Sequence, residues 1–172
     1  MDRCDACGFD YYAFARTEIV ERLRSLTEGH SERLTETPAA FLRRHPSEGW
    51  SALEYGCHVR DVLVNQRGRI EQAQREESPT FVPMGRDERV VADRYNSQDP
   101  GTVAGALTSA AEALTALLAT LDDPGWARTG TYPYPEPSVQ DVDWIARHTL
   151  HELHHHLADV HRVLRAVLEP DG

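Results

Sequence analysis

Cysteine is scarce in this sequence. Cys4, Cys7 and Cys57 are the only three in 172 residues. That is too few for a disulfide scaffold, so a reduced, cytoplasmic setting is expected. Positive charge is also short. Eighteen basic residues face 28 acidic ones, for a net charge of −10, and no basic block occurs. This argues against binding nucleic acid through its phosphates. No run of consecutive apolar residues approaches the ~18 of a membrane span, so no membrane partner is expected. The opening Met-Asp-Arg-Cys-Asp-Ala-Cys does not read as a signal peptide. There is no internal repeat, and no low-complexity segment beyond a histidine cluster. The length fits one domain over residues 1–172 with a sizeable core.

What is present is concentrated near the end. Residues 144–161 hold six of the nine histidines and contain no Gly or Pro. Apolar residues recur there at three- and four-residue steps, which predicts an amphipathic helix. At about 100° per residue, Ile145, Leu153, Leu157, Val160, Val163, Leu164 and Val167 form one stripe. His156 lies within it and Glu152 at its edge. Four residues apart, they stack on one face and can share one ion. His151 and His155 are also four apart but point away from the stripe. A site in a bundle core is built from inward-facing side chains, which favours Glu152 and His156.

The other register spells His151-Glu152-Leu153-His154-His155, the H-E-x-x-H pattern of zinc proteases. There His151 and His155 would be the alternative metal ligands, with Glu152 as base. That pattern needs a third ligand downstream, for which the sequence offers Asp159, His161 and Glu169. A polar, His-rich face with no metal is the plainest alternative.

At the other end, Cys4-Asp-Ala-Cys7-Gly8 is half of a zinc knuckle. The other half needs two more ligands, and Cys57 is the one cysteine left. No βαβ pattern surrounds the pair to suggest a thioredoxin-like unit. Cys4 and Cys7 therefore stand as a separate thiol site, or as two unremarkable thiols, on an N-terminal tail over residues 1–10.

Four long helices are predicted. The first covers residues 11–36 and ends at Thr37-Pro38. The second opens at Trp50-Ser51, with Ser51 as N-cap, Glu54 closing a capping box and Trp50 and Tyr55 as the hydrophobic staple, and it runs to residue 76. The third covers residues 101–121. The fourth starts after Ser138, read as its N-cap with Asp141 at the third position. Residues 77–100 form a long irregular connection, of the kind that covers a site. Prolines 133, 135 and 137 forbid a regular helix before the fourth, leaving room for a small hairpin around Gly130. The fold class is all-α, a four-helix bundle with long crossover connections. On the second helix, His58 lies at the border of the apolar face. Taken alone it reads as a packing residue, and it gains weight because the fourth helix offers partners.

Trp-Ser-x2-Glu-x3-His opening the second helix and Glu-x3-His-x2-Asp on the fourth resemble the DinB/YfiT-like family of metalloenzymes. Within it they resemble the N-terminal domain of the mycothiol-dependent maleylpyruvate isomerases. The resemblance runs from about residue 11 to residue 168. It implies a four-helix bundle with a metal held by His58, Glu152 and His156. It also implies a small thiol of the mycothiol or bacillithiol type as cosubstrate, and an electrophilic substrate. Zinc suits two imidazoles and a carboxylate best, with nickel, iron or manganese as alternatives. Asp61 or Asp159 would orient a ligand histidine, and Arg60, Arg69 or Arg147 would meet acidic groups of a substrate. The function expected is S-transfer or thiol-dependent isomerisation. A non-catalytic metal-binding module and the H-E-x-x-H hydrolase remain the alternatives, and a homodimer is left open.

Overall fold

Four helices carry the packing in the computed structural model, which describes residues 3–168. They are α1 (Ile19–Glu36), α3 (Ala52–Arg75), α5 (Pro100–Ala119) and α7 (Val142–Leu168). Both α1 and α3 pack against α5 and α7, while α1 and α3 barely touch each other. The four therefore stand in a square with α1 opposite α3. Consecutive helices α1 and α3, and likewise α5 and α7, are thus diagonal partners, and the connections between them cross an end of the bundle. Short helices punctuate the connections along the chain: α2 (Ala39–Leu42), α4 (Arg86–Ala92) and α6 (Asp123–Trp126).

The core fills the square. Leu23, Val59, Leu63, Ile70, Leu107, Leu114, Ile145 and Leu153 are all fully buried in one cluster. A second cluster at the far end joins Leu42, Leu53, Tyr95, Val103 and Val163. By length and composition α5 is apolar enough to cross a membrane, although it holds no unbroken apolar run of the length a span takes. Its alanines raise the average hydropathy without forming a long unbroken run. It buries Val103, Leu107, Ala111, Leu114 and Leu118 against its neighbours α1 and α3.

Two departures from the predicted elements matter for the site. The first helix does not start at residue 11. A 3₁₀ turn at Arg16–Glu18 leads into α1, and residues 11–14 are irregular. The cause is α7: Arg147 Nη1 donates to the carbonyls of Tyr11 (2.7 Å) and Phe14 (3.1 Å). Those carbonyls would otherwise accept from N–H groups one turn later in a helix. The second departure is a small antiparallel hairpin, β1 (Thr129–Tyr132) with β2 (Ser138–Asp141). Ser138 is thus a strand residue and not the cap of α7. Asp141 takes that role, accepting from the Trp144 N–H at 2.7 Å. Gly130 is required in the hairpin, because a Cβ there would lie 2.4 Å from the Phe81 ring. Phe81 N–H donates to Thr131 O and Thr131 N–H to Pro79 O, so the hairpin fastens the start of the α3–α5 connection.

Candidate metal centre

Capping places the first donor. The Glu54 N–H donates to Ser51 Oγ at 3.2 Å, and the Ser51 N–H donates to the Glu54 carboxylate at 2.8 Å. Trp50 and Tyr55 meet at 5.4 Å between ring centroids. This fixed start sets the rotational phase of α3. His58, in the second turn, is buried and faces His156 of α7 with ring centroids 4.8 Å apart.

The same logic of phase places the other two. Burial of Ile145, Leu153, Val160, Val163, Leu164 and Val167 turns Glu152 and His156 toward α3. Glu152 Oε2 lies 3.8 Å from His58 Nε2 and 3.6 Å from His156 Nε2. One donor atom from each residue lies within 4.8 Å of the others. These separations are too long for hydrogen bonds. They approach the about 3.3–3.5 Å between two ligands bound at about 2.0–2.1 Å around one tetrahedral ion.

The donor chemistry also suits a divalent ion. His58 Nδ1 is buried with no hydrogen-bond partner. Burial holds the His58 imidazole below its ordinary pKa, against the opposing pull of Glu152. Burial thus favours the neutral imidazole, the form that coordinates. Burial alone would raise the Glu152 pKa, but His151, His156 and His58 outweigh it and hold the carboxyl well below its usual range. His156 behaves oppositely. Burial would lower it, but Asp159 and Glu152 push it up to about 8. Asp159 Oδ2 sits 3.0 Å from His156 Nδ1, and Arg162 anchors Asp159 from outside at 2.9 Å.

These donors form one wall of a cleft of about 490 Å³. Residues 83–87 of the α3–α5 connection form another, with Tyr132 and Tyr134 from the hairpin. Arg69 is the one of the three expected substrate-facing arginines that lines the cleft. It is buried, donates to Gln66 Oε1 and the Val82 carbonyl and lies over the Tyr132 ring. Arg60 instead pairs with Asp61 and Gln98, and Arg147 pins the N-terminal segment. Asp61 does not hydrogen-bond to His58 or His156. It accepts from Arg60 and from the Tyr95 hydroxyl.

His148 was not singled out in the sequence, though its four-residue spacing before Glu152 marks the same face. It lines the cleft, stacks on Trp144 at 4.7 Å and shares a 2.8 Å hydrogen bond with the Tyr11 hydroxyl. Burial lowers its pKa to about 4. Its Nε2 lies 3.7 Å from Glu152 Oε1, and His151 Nδ1 lies 3.4 Å from that same oxygen. The two oxygens of Glu152 thus face different imidazoles.

The polar face of α7 differs most from expectation. His151 and His155 are not open to solvent but half-buried, because residues 3–10 fold over them. Phe9 packs on His151 and His154, each at 5.6 Å. Donor atoms of Cys4, Cys7, His151 and His155 all lie within 4.8 Å of one another. Burial raises the Cys4 pKa, but the Cys7 backbone N–H and then the His151 side chain outweigh it and bring it down to about 6. Burial pushes the Cys7 thiol up. Of the downstream ligands considered for the H-E-x-x-H register, Asp159 is committed to His156 and Arg162. His161 is exposed, and Glu169 lies outside the described residues.

Comparison with solved structures reveals the same bundle elsewhere. Bacillus subtilis YfiT, described as a probable metal-dependent hydrolase with an unusual four-helix bundle topology, aligns with a TM-score of 0.77 and 20% identity, over 90% of each chain. A mycothiol-dependent maleylpyruvate isomerase aligns with a TM-score of 0.72 and 16% identity, over 87% of this chain but 62% of that one. No curated protein matches by sequence. The family model of the DinB superfamily matches residues 13–160, and the chain belongs to that superfamily.

Proposed function

We propose that the protein is a metal-dependent enzyme acting with a low-molecular-weight thiol, as an S-transferase or a thiol-dependent isomerase. One observation carries this reading. His58, Glu152 and His156 converge on the wall of a cleft large enough for a cosubstrate. Three side-chain ligands leave a coordination position, and here it would face the cleft. Two imidazoles and a carboxylate favour zinc, while nickel, iron and manganese suit the same donors. When bound, such an ion supplies Lewis acidity that lowers the pKa of a thiol of the mycothiol or bacillithiol type.

The chain's own residues do the rest. Asp159 accepts from His156 Nδ1, so the proton that His156 gives up on binding an ion would leave from Nε2, the nitrogen facing Glu152. Arg69, clamped by Gln66 and the Val82 carbonyl, holds a fixed cation at the cleft for a carboxylate on the thiol or on its electrophilic partner. The described maleylpyruvate isomerase is mycothiol-dependent, and this supports the thiol reading. Residues 1–172 would then act as one domain in a reduced, cytoplasmic setting.

The description of YfiT favours a second reading, a metal-dependent hydrolase in which water takes the place of the thiol. The two separate in one experiment. The metal content of the purified protein is measured. The protein is then given mycothiol, bacillithiol, glutathione or cysteine with a bimane or chlorodinitrobenzene as electrophile, and in parallel a panel of esters and amides. Metal-dependent thiol turnover that is lost in His58→Ala supports the proposal. Hydrolysis without thiol turnover gives the second reading. Full metal occupancy with neither activity points to a non-catalytic metal-binding module.

A further inference from the structure

We propose a second metal site, formed by Cys4, Cys7, His151 and His155, in which a zinc ion fastens the N-terminal turn to the outer face of α7. The four donors come from opposite ends of the chain. Their donor atoms lie within 4.8 Å of one another, and Cys4 Sγ is 3.9 Å from His155 Nδ1. Around one tetrahedral zinc, with Zn–S of about 2.3 Å and Zn–N of about 2.0–2.1 Å, a sulfur and a nitrogen would stand about 3.5 Å apart. The Cys4–His155 pair is within a few tenths of an ångström of that separation, and the other pairs lie inside 4.8 Å.

The turn that presents the cysteines is built as a knuckle. Gly8 N–H donates to Cys4 O and Cys4 N–H to Phe9 O, both at 2.8 Å. Gly8 sits at φ +73°, in the left-handed region that other residues rarely adopt. Arg3 and Asp10 close the turn with an antiparallel bridge.

An independent observation comes from His151. Both of its ring nitrogens are buried and lack a hydrogen-bond partner, a costly state for an imidazole. Its Nδ1 lies 3.4 Å from Glu152 Oε1, which leaves Nε2 for an ion. The missing half of the knuckle is thus supplied by the two histidines of the H-E-x-x-H register. Their further ligands come from upstream of the motif and not from downstream. With two thiolates and two imidazoles the shell is closed, so the site is structural and not catalytic.

The proposal does not rest on the cleft site, and the test keeps the two apart. The reduced wild-type chain is stripped with chelator and titrated with Co²⁺, recording sulfur-to-cobalt charge-transfer absorption, and zinc per chain is counted separately. The expected result is a tetrahedral thiolate spectrum that persists in His58→Ala and disappears in the Cys4→Ser/Cys7→Ser variant. One zinc should be lost in that double variant. Because the spectrum is read on the wild-type chain, a variant that fails to fold does not blunt the test. Absence of the charge-transfer band in reduced wild-type protein overturns the site. So does a Cys4–Cys7 disulfide that persists in protein purified under reducing conditions. A chain that shows the thiolate spectrum but binds no further ion sustains this site and counts against the cleft centre instead.

Discussion

Two faces of α7 differ in how their histidines are held. On the inner face, Glu152 and His156 meet His58 of α3, a partner in the helical core. On the outer face, one residue away in each case, His151 and His155 meet Cys4 and Cys7, which lie in no helix. The inner face is ordered by burial of apolar neighbours. The outer face is ordered by a short turn whose own hydrogen bonds hold it in shape. Adjacent residues on one helix can therefore belong to separate sites, because each step of about 100° changes the neighbour.

The largest effect is expected at the cleft ion. Removing an inner ligand by His156→Ala should reduce metal affinity at the cleft by at least about 100-fold, since loss of an outer partner alone costs about 10–100-fold. His151→Ala should leave that ion in place. Isothermal titration with Zn²⁺ on protein carrying Cys4→Ser/Cys7→Ser isolates the cleft site. If His151→Ala removes its ion and His156→Ala does not, the two faces have been exchanged.

Between the faces, His30 of α1 donates from Nε2 to the Leu153 carbonyl at 2.9 Å. Burial lowers its pKa to about 4. Above about pH 6.5 the folded and unfolded forms are both neutral and the full stability is present. As pH falls from there to about 4, the unfolded chain takes up a proton that the folded one refuses. This group alone should cost roughly 3 kcal/mol over that window. Urea denaturation at several pH values should show His30→Gln losing less stability across it than the wild type. Equal loss in both would mean that α7 is not held at Leu153 by a neutral imidazole.

Asp159→Asn gives a smaller effect. The His156 ring keeps its place but loses the carboxylate that fixes its proton, so zinc affinity at the cleft should fall about 10–100-fold. The cobalt–thiolate spectrum of the outer cluster should stay unchanged. A loss in both would mean that the two faces are not separable. Smallest is Gly68→Ala on α3. A Cβ there meets nothing within 4 Å, and the residue is exposed. Thermal melts should show a gain of about 0.5–1 kcal/mol from helix propensity, with metal binding at both faces untouched.

The inner face was legible in the sequence for a physical reason. Its periodicity, the capping box at Ser51 and Glu54, and the spacing of Glu152 to His156 are all local signals, and each survives folding. The four helices were legible for the same reason. The outer face was not. Its ordering depends on contacts between distant residues, such as Cys4 with His155, 151 positions apart, and Arg147 with Tyr11, 136 apart. Nothing in the spacing of Cys4-x2-Cys7 names His151 as a neighbour. The same long-range bonds shortened the first helix, because Arg147 takes two of the carbonyls that a helix would have used. Asp61 misled for a related reason: its sequence position beside His58 was clear, but its partners Tyr95 and Arg60 were not.

Glu152 carries one more consequence. Its Oε2 looks toward His58 and His156, and its Oε1 toward His148 and His151. A carboxylate is a rigid plane, so turning it to serve one oxygen's neighbours displaces the other oxygen from its own. Oε1 and Oε2 therefore cannot be aimed independently: one setting of a single side chain has to suit both pairs of imidazoles at once.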